Sequence, residues 1–367
     1  MENFDLAAYL SNGVENLVKN ILRATLKDPK ESAFMMKYSR SVKEAAKRRA
    51  ELNEDGEHIP PFLIASITSS CNLHCAGCYA RHNQACCDSS PIEQLSDAEW
   101  LKIFHEAKEL GLSFILLAGG EPMIRRDVIT AAGSVPEILF PIFTNGTMID
   151  EAYLALFEKH RNLVPVFSIE GREEKTDSRR GQGVYERLIR GMEKMQKNHL
   201  IFGASVTVTR DNLGEVFSRD FVEDLNNCGC KVVFYVEYVP VSETTVALAP
   251  TDDDRALMEK NMAELRRAYP DMIFIAFPGD EKSTGGCLAA GRGFFHINSH
   301  GGAEPCPFSP YSDINVRRTS LREALKSDLF HALQSERILT GEHIGGCVLF
   351  EQKDKVEAII ERNKQNG

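Results

Sequence analysis

Three cysteines lie within eight residues, directly after an apolar run that is typical of a buried strand. The run is 61–68, Pro-Phe-Leu-Ile-Ala-Ser-Ile-Thr, and the cysteines are Cys71, Cys75 and Cys78. Three closely spaced thiolates can hold three irons of a cubic iron–sulfur cluster and leave the fourth iron without a protein ligand. An iron with an open position can bind a reactant, so this segment indicates chemistry rather than packing.

Two other interpretations of these cysteines remain open. They could be buried structural thiols, or three ligands of a zinc ion whose fourth ligand is His74 or His82. Structural zinc sites usually combine two short Cys-x-x-Cys arms. The spacing of four and then three residues, followed by Tyr79, favours the cluster.

Strand-like apolar runs alternate with amphipathic helices from residue 59 to about residue 270. This alternation predicts a parallel sheet with right-handed crossovers. Six such units form an α/β fold, a partial (β/α)6 barrel of the TIM type, preceded by a charged helical segment at 1–58. The predicted strands are 62–68, 113–118, 138–143, 164–169, 203–209 and 231–238. The predicted helices are 95–110, which begins with the capping pair Ser96 and Glu99, and 150–160, 184–197, 213–226 and 252–268.

Glycines and polar residues follow the predicted strands. Barrel sheets place their sites at the carboxyl ends of the strands, so we expect these segments to meet on one rim with the three cysteines. They are Gly119-Gly120-Glu121-Pro122, Thr144-Asn145-Gly146 and Ser168-Ile169-Glu170-Gly171.

The Cys-x3-Cys-x2-Cys spacing resembles the signature of the radical S-adenosylmethionine (radical SAM) superfamily, and Gly119, Gly120, Glu121 and Pro122 resemble its Gly-Gly-Glu-Pro motif. The resemblance implies that the three cysteines hold a [4Fe-4S] cluster and that the glycine segment binds the ammonium group of S-adenosylmethionine. Reductive cleavage of this cofactor would give a 5′-deoxyadenosyl radical that removes a hydrogen atom from a substrate. The family usually has an aromatic residue before the third cysteine. Here Gly77 takes that place, and we expect Tyr79 to cover the same face of the cluster.

The resemblance implies further cofactor contacts. Ser168 and Glu170 resemble a Ser-x-Asp-Gly pattern that meets the ribose, with glutamate in place of aspartate. Arg180, in a predicted loop, could pair with the cofactor carboxylate, since a guanidinium matches a carboxylate bidentately, or it could be solvated. Asn145 could contact the adenosine or stabilise a turn. Tyr238, after the sixth strand, could face the substrate.

Residues 271–367 carry a second group of cysteines. Cys287 begins and Cys306 ends a predicted β-hairpin, and Cys347 lies between predicted helices 319–335 and 351–363. This layout resembles the twitch and SPASM extensions of radical SAM enzymes, although a full SPASM domain has more cysteines. It implies a twitch-like domain with an auxiliary [4Fe-4S] cluster held by three thiolates. Its fourth iron could be open to substrate or bound by Cys86, Cys228 or a histidine.

The composition limits the partners. The chain has 43 Lys and Arg against 53 Asp and Glu, a net charge of −10, which does not attract nucleic acid or an anionic membrane. No apolar run approaches the roughly 18 residues of a membrane span, and the N-terminus lacks the layout of a signal peptide. We therefore predict a cytoplasmic protein whose cysteines are metal ligands or free thiols rather than disulfides.

The predicted function is radical hydrogen abstraction from a peptide or protein side chain. One alternative is a small-molecule substrate, a tetrapyrrole, nucleotide or sugar, bound near the auxiliary cluster. Two alternatives of other classes are an iron–sulfur electron carrier and a zinc-holding scaffold. The family resemblance also implies a reducing partner such as flavodoxin or ferredoxin.

Overall fold

The computed structural model describes residues 5–24, 29–87, 93–240, 242–277, 284–340 and 347–366. Its centre is a nine-stranded sheet with the strand order β7-β6-β5-β4-β3-β2-β1-β8-β9. Neighbouring strands are parallel except for the antiparallel pair β8 and β9. The strands are β1 (Phe62–Thr68), β2 (Phe114–Gly119), β3 (Phe140–Thr144), β4 (Leu163–Ser168), β5 (Gly203–Val208), β6 (Val232–Glu237), β7 (Ile273–Phe277), β8 (Phe294–Ile297) and β9 (Ala303–Glu304).

Helices precede the sheet, connect its parallel strands and follow it. Within the described residues they are α1 (Leu6–Ala24), α2 (Pro29–Glu54), α3 (Tyr79–His82), α4 (Asp97–Leu110), α5 (Arg126–Gly133), α6 (Glu151–Lys159), α7 (Glu173–Arg180), α8 (Val184–Lys197), α9 (Leu213–Val216), α10 (Arg219–Asn227), α11 (Asp252–Ala268), α12 (Leu321–Ala324), α13 (Asp328–Ser335), α14 (Val348–Glu351) and α15 (Lys353–Asn366). None of the described helices is both long and apolar enough to cross a membrane.

The α/β fold class, a partial parallel barrel with N-terminal helices, is confirmed, and the six predicted strands correspond to β1 to β6. The sequence interpretation missed β7, which adds a seventh parallel strand beside β6. Among the described strands, none pairs with the free edge of β7, so the barrel is not closed by strand pairing there. Instead, the rings of Phe277 on β7 and Phe294 on β8 meet at a centroid distance of 5.5 Å, which brings the tail against the free edge of the sheet.

Local signals set several helix ends. Ser96 and Glu99 form the predicted capping box at the start of α4. The predicted helix 213–226 is interrupted, because the Ser218 hydroxyl accepts a hydrogen bond from the backbone of Phe221 and so starts α10 as a separate helix. The structure also adds α7, which the sequence interpretation treated as a loop.

The amino-terminal helices cover the end of the barrel opposite the predicted rim. Tyr38 of α2 is buried and its hydroxyl donates to the carbonyl of Ser113, 2.6 Å away, just before β2. Residues at the amino ends of the strands pack in the same apolar cluster, which contains Val18, Ile21, Met35, Tyr38, Val42, Phe114, Leu139, Val164, Val232 and Ile273.

The tail is joined to the barrel through the sheet. The predicted hairpin is β8 and β9, and β8 also pairs with β1. A buried polar chain crosses this junction, with His296 at 2.7 Å from both the Ser66 hydroxyl and the Glu304 carboxylate. Because each of these groups has its partner, the chain can be buried without an unsatisfied polar atom. The tail hairpin is therefore an extension of the barrel sheet.

Candidate active site

The loop that carries the first three cysteines starts where β1 ends and is bound to the end of α7. The backbone N–H of Ala76 donates to the Arg179 carbonyl at 2.8 Å, and Arg179 Nε donates back to the Ala76 carbonyl at 3.1 Å. Arg81 also donates to the Leu73 carbonyl, at 2.7 Å. These bonds fix the main chain between Cys71 and Cys78, which carries the three half-buried cysteines.

The two glycines after β2 allow the cysteine loop to approach. A Cβ at Gly120 would lie 2.0 Å from the carbonyl oxygen of Ser70, and one at Gly119 would lie 2.3 Å from that of Thr68. The space is occupied by backbone hydrogen bonds of 2.8 Å, from Gly120 to Thr68 and from Glu121 to Ser70. Only glycine permits this contact, and the contact places the Gly-Gly-Glu-Pro segment beside Cys71.

Glu121 is a buried carboxylate held by three donors. It accepts from the backbone of Met123 at 3.0 Å, from the Thr144 hydroxyl at 2.7 Å and from the backbone of Asn145 at 2.7 Å. Pro122 begins the short 3-10 turn that provides the first of these donors. Burial raises the pKa of Glu121 to about 7 despite the three hydrogen bonds. A cationic partner in the cavity would stabilise the charged form.

Glu170 lies behind two arginines rather than in the cavity. Its carboxylate pairs with Arg180, whose Nε donates at 2.9 Å, and with Arg179, whose guanidinium is 2.8 Å away. Burial raises the pKa of Glu170, but the two guanidinium groups outweigh it and hold the pKa below its usual range. Arg180 is the last residue of α7, is largely buried and lines the cavity, which favours the alternative of a binding arginine over that of a solvated one.

Ser168 and Asn145 lie at the same rim. Ser168 ends β4 and lines the cavity. The Asn145 side chain donates to Asn72 in the cysteine loop at 2.8 Å and accepts from the Thr147 backbone at 3.0 Å. These bonds are consistent with a turn role for Asn145, and they link the loop after β3 to the cysteine loop.

These segments enclose a cavity of about 320 Å³ inside the carboxyl end of the barrel, which we call the upper chamber. Its volume is at the lower end of the range for ligand sites. The predicted site residues that line it are Cys71, Cys75, Cys78, Gly119, Gly120, Glu121, Asn145, Ser168 and Arg180. Cys86 also lines it and is hydrogen-bonded to Cys71, which lowers the pKa of the Cys71 thiol to about 6.

Two tyrosines flank the cysteine loop. Tyr238, which follows β6, lies against Gly77, where a Cβ would be 2.8 Å from its hydroxyl oxygen. Tyr79 packs its ring on Phe308 of the tail at a centroid distance of 4.8 Å. Both line the upper chamber, so aromatic rings border the cysteine loop on two sides.

A second cavity, about 340 Å³, occupies the amino-terminal half of the barrel interior; we call it the lower chamber. Phe62, Leu116, Phe234 and Phe308 line both chambers, so the two chambers share a wall. The tail cysteines Cys287, Cys306 and Cys347 line the lower chamber. Burial raises the pKa of Cys306, and the two other tail thiols, Cys347 and Cys287, lie close enough to raise it further.

The thiols fit a cluster better than one metal ion. Within the part of the chain that the structure describes, no three His, Cys, Asp or Glu side chains are placed to hold a single ion. In a cubic cluster each thiolate binds a different iron, so its ligands need not converge on one point. The zinc interpretation with His74 or His82 is therefore not supported, whereas three half-buried thiols around an open chamber suit a cluster with one accessible iron.

Comparisons with known proteins identify the family. The model of the radical SAM superfamily matches residues 65–226. An AdoMet-dependent heme synthase of Methanosarcina barkeri is 27% identical over 77% of this chain and 87% of that protein. A PqqA peptide cyclase of Rhizobium meliloti is 27% identical over 76% and 77%, respectively. The crystal structure of Streptococcus suis SuiB, 17% identical, has the same fold, with a TM-score of 0.64 over 82% of this chain and 73% of that one.

Residues 65–226 match the radical SAM superfamily, and the protein is an enzyme. Members of this family use a [4Fe-4S] cluster and S-adenosylmethionine. The prediction of the family and of these two cofactors is confirmed. An iron–sulfur electron carrier and a zinc scaffold are thereby both replaced by an enzyme.

Sequence reasoning missed one contributor to the site and the buried polar chain at the junction of the barrel and the tail. Arg179 was not singled out because its neighbour Arg180 matched a motif. The sequence does show two adjacent arginines shortly after Glu170, and this pair was the available signal. His296 and its partners, Ser66 and Glu304, come from three different strands. No local pattern could have found them, because their contact depends on the pairing of β1 with β8.

We expect Gly120→Ala to destabilise the site. The added methyl group meets a carbonyl oxygen, and main chain rather than a flexible side chain must move, at a cost of about 2–4 kcal/mol. The free energy of unfolding from anaerobic urea titration and the iron content should both fall. Gly214→Ala is the matched control, since a Cβ there meets nothing within 4 Å. Parental stability and iron content in Gly120→Ala would contradict the close-approach argument.

Proposed function

We propose that Cys71, Cys75 and Cys78 hold the catalytic [4Fe-4S] cluster in the upper chamber and that S-adenosylmethionine binds beside it. The cluster and this cofactor, when bound, supply a 5′-deoxyadenosyl radical that abstracts a hydrogen atom from the substrate. The observation that carries the proposal is the convergence of three thiols, a glycine-flanked carboxylate and a buried guanidinium on one chamber. Their charges suit the ammonium and carboxylate ends of an amino-acid group.

The chain's own residues bind, orient and shield in this proposal. Glu121, fixed by three donors, receives the cofactor ammonium, and this cation stabilises the ionised form of a carboxyl group whose pKa burial has raised. Arg180 receives the cofactor carboxylate. Glu170 holds the Arg180 guanidinium in place, so we assign it a positioning role in place of the expected ribose contact. Gly119, Gly120 and Pro122 shape the backbone around Glu121, and Asn145 braces the cysteine loop.

We also propose that Cys287, Cys306 and Cys347 hold an auxiliary [4Fe-4S] cluster in a twitch-like domain at 271–367, behind a barrel domain at 59–270 and an N-terminal helical segment at 1–58. Support comes from the proximity of the three thiols and from their place at the wall of the lower chamber. Tyr79 and Phe308 stack between the first cysteine loop and the tail. The two cysteine groups thus border neighbouring chambers.

The lower chamber favours an apolar small molecule over the other substrates considered. Its lining is almost entirely apolar, and its charged residues, Glu31 and Arg161, pair with each other. Nucleotides and sugars need polar partners when buried, and so do the amide groups of a peptide. A tetrapyrrole has a large apolar ring system, and the similar heme synthase is consistent with that class. A peptide that inserts one apolar side chain is the second candidate, favoured by the similar peptide cyclase.

The reducing partner, such as flavodoxin or ferredoxin, and the cytoplasmic location stay predictions. The cluster chemistry requires an electron donor, and thiol-held clusters need a reducing compartment.

Replacing Cys75 with alanine should abolish reductant-dependent formation of 5′-deoxyadenosine, because one ligand of the catalytic cluster is lost. The assay is anaerobic incubation with S-adenosylmethionine and dithionite, followed by chromatography of the nucleoside. Cys228→Ala is the control and should keep the parental rate, since Cys228 lies outside both chambers. Parental rates in Cys75→Ala would refute the proposed cluster.

Cys306→Ala should remove the auxiliary cluster alone. Iron per chain after anaerobic reconstitution should drop from about eight to about four, the content of one cluster, while S-adenosylmethionine is still cleaved. Iron and sulfide analysis together with the nucleoside assay measure both effects. An iron content near four in the parental protein would show that the tail cysteines hold no cluster.

Filling the lower chamber should weaken binding of a tetrapyrrole. Gly13 of α1 lines the chamber and a Cβ there meets nothing within 4 Å, so Gly13→Leu extends into the open space. Overfilling typically costs about 1–3 kcal/mol, and we expect the affinity for a porphyrin without charged side chains, followed by its absorbance, to fall about tenfold. Gly214→Leu is the matched control outside the chamber. Equal affinity in both variants would exclude the lower chamber as the tetrapyrrole site.

A further inference from the structure

Tyr238 has an unusual combination of burial and an unpaired polar atom. The side chain is 3% exposed, and among the described residues nothing lies within hydrogen-bond distance of its hydroxyl. An unpaired buried hydroxyl costs roughly 1–3 kcal/mol. Other buried tyrosines in the protein avoid this cost: Tyr235, three residues earlier on β6, donates to the Val216 carbonyl at 2.9 Å. The Tyr238 hydroxyl therefore needs a partner other than the described residues of the chain.

The position of Tyr238 points to that partner. The side chain lines the upper chamber together with the three cysteines. Its hydroxyl and ring lie over Gly77, where a Cβ would meet the oxygen at 2.8 Å and a ring carbon at 3.3 Å. Gly77 has a φ of +65°, and it stands between the second and third cysteines, where the superfamily signature usually has an aromatic residue. The ring of Tyr238 thus occupies space next to a glycine that contributes no side chain.

We propose that Tyr238 replaces the missing aromatic residue of the cysteine motif, with its ring against the cysteine loop and its hydroxyl donating a hydrogen bond to bound S-adenosylmethionine. The inference rests on the proposed cofactor site and adds to it a residue from the sixth strand. Glycine at position 77 fits this arrangement, because its φ is positive and an added Cβ would require the Tyr238 hydroxyl to shift. Tyr79, which is nearer to Gly77 in sequence, packs against Phe308 instead.

The hydroxyl can be tested by Tyr238→Phe, measured in the anaerobically reconstituted protein. The dissociation constant for S-adenosylmethionine, from the change in the spectrum of the reduced cluster during titration, should rise about five- to tenfold, the effect of one hydrogen bond. The melting temperature without the cofactor should stay the same or rise, because an unpaired buried hydroxyl is removed. Tyr238→Leu, which removes the ring as well, should bind more weakly than Tyr238→Phe.

Tyr235→Phe provides the matched control. Its hydroxyl has a protein partner, so this variant should lower the melting temperature and leave the dissociation constant at the parental value. An unchanged dissociation constant in Tyr238→Phe would overturn the inference, and so would a loss of melting temperature as large as that in Tyr235→Phe. In either case a parental protein that binds the cofactor leaves the proposed function intact. A parental protein that does not bind it overturns both.

Discussion

The site depends on a backbone contact between the ends of the first two strands. The carbonyl groups of Thr68 and Ser70, just before the cysteine loop, accept hydrogen bonds from Gly120 and Glu121, just after β2. A side chain at either glycine would separate the two segments. Because these bonds are short-range and directional, they set the position of the three thiols relative to the Glu121 carboxylate. The rest of the site is built around this pair of segments.

Charge is distributed around the chamber in a way that suits a zwitterionic amino-acid group. A carboxylate lies at one side, held by Thr144 and the backbone of β3's loop. Guanidinium groups lie at the end of α7, anchored by Glu170. Arg179 also binds the cysteine loop through Ala76. One short helix therefore supports both the proposed cluster ligands and the proposed carboxylate partner.

Much of the fold could be predicted from the sequence because its signals are local. The capping pair at Ser96 and Glu99, the alternation of strands and helices, and the residues that follow each strand all lie within short stretches of chain. Features that depend on contacts between distant parts of the chain were not predicted. Strand β7 is short and lies beyond residue 270, where the sequence interpretation ends the barrel, and only its pairing with β6 identifies it as part of the barrel.

The same distinction applies to the site. The sequence motifs identified the positions, most of which line one chamber. They did not identify the residues that contact these positions. Glu170 was matched to a motif by its neighbours in sequence, but its environment is set by two arginines on a helix that the sequence interpretation did not predict. Tyr238 and Gly77 are far apart in the chain, and their contact follows from the curvature of the sheet. Sequence motifs predict which residues reach the rim, whereas the partner of each depends on tertiary packing.

The central claim is that an iron at the cysteine loop binds the amino-acid end of S-adenosylmethionine. The most direct measurement is electron–nuclear double resonance of the reduced protein with S-adenosylmethionine that carries ¹⁵N in its amino group. The account predicts a hyperfine coupling between this nitrogen and the cluster. A reduced cluster whose spectrum shows no coupling to the labelled nitrogen at saturating cofactor would contradict it.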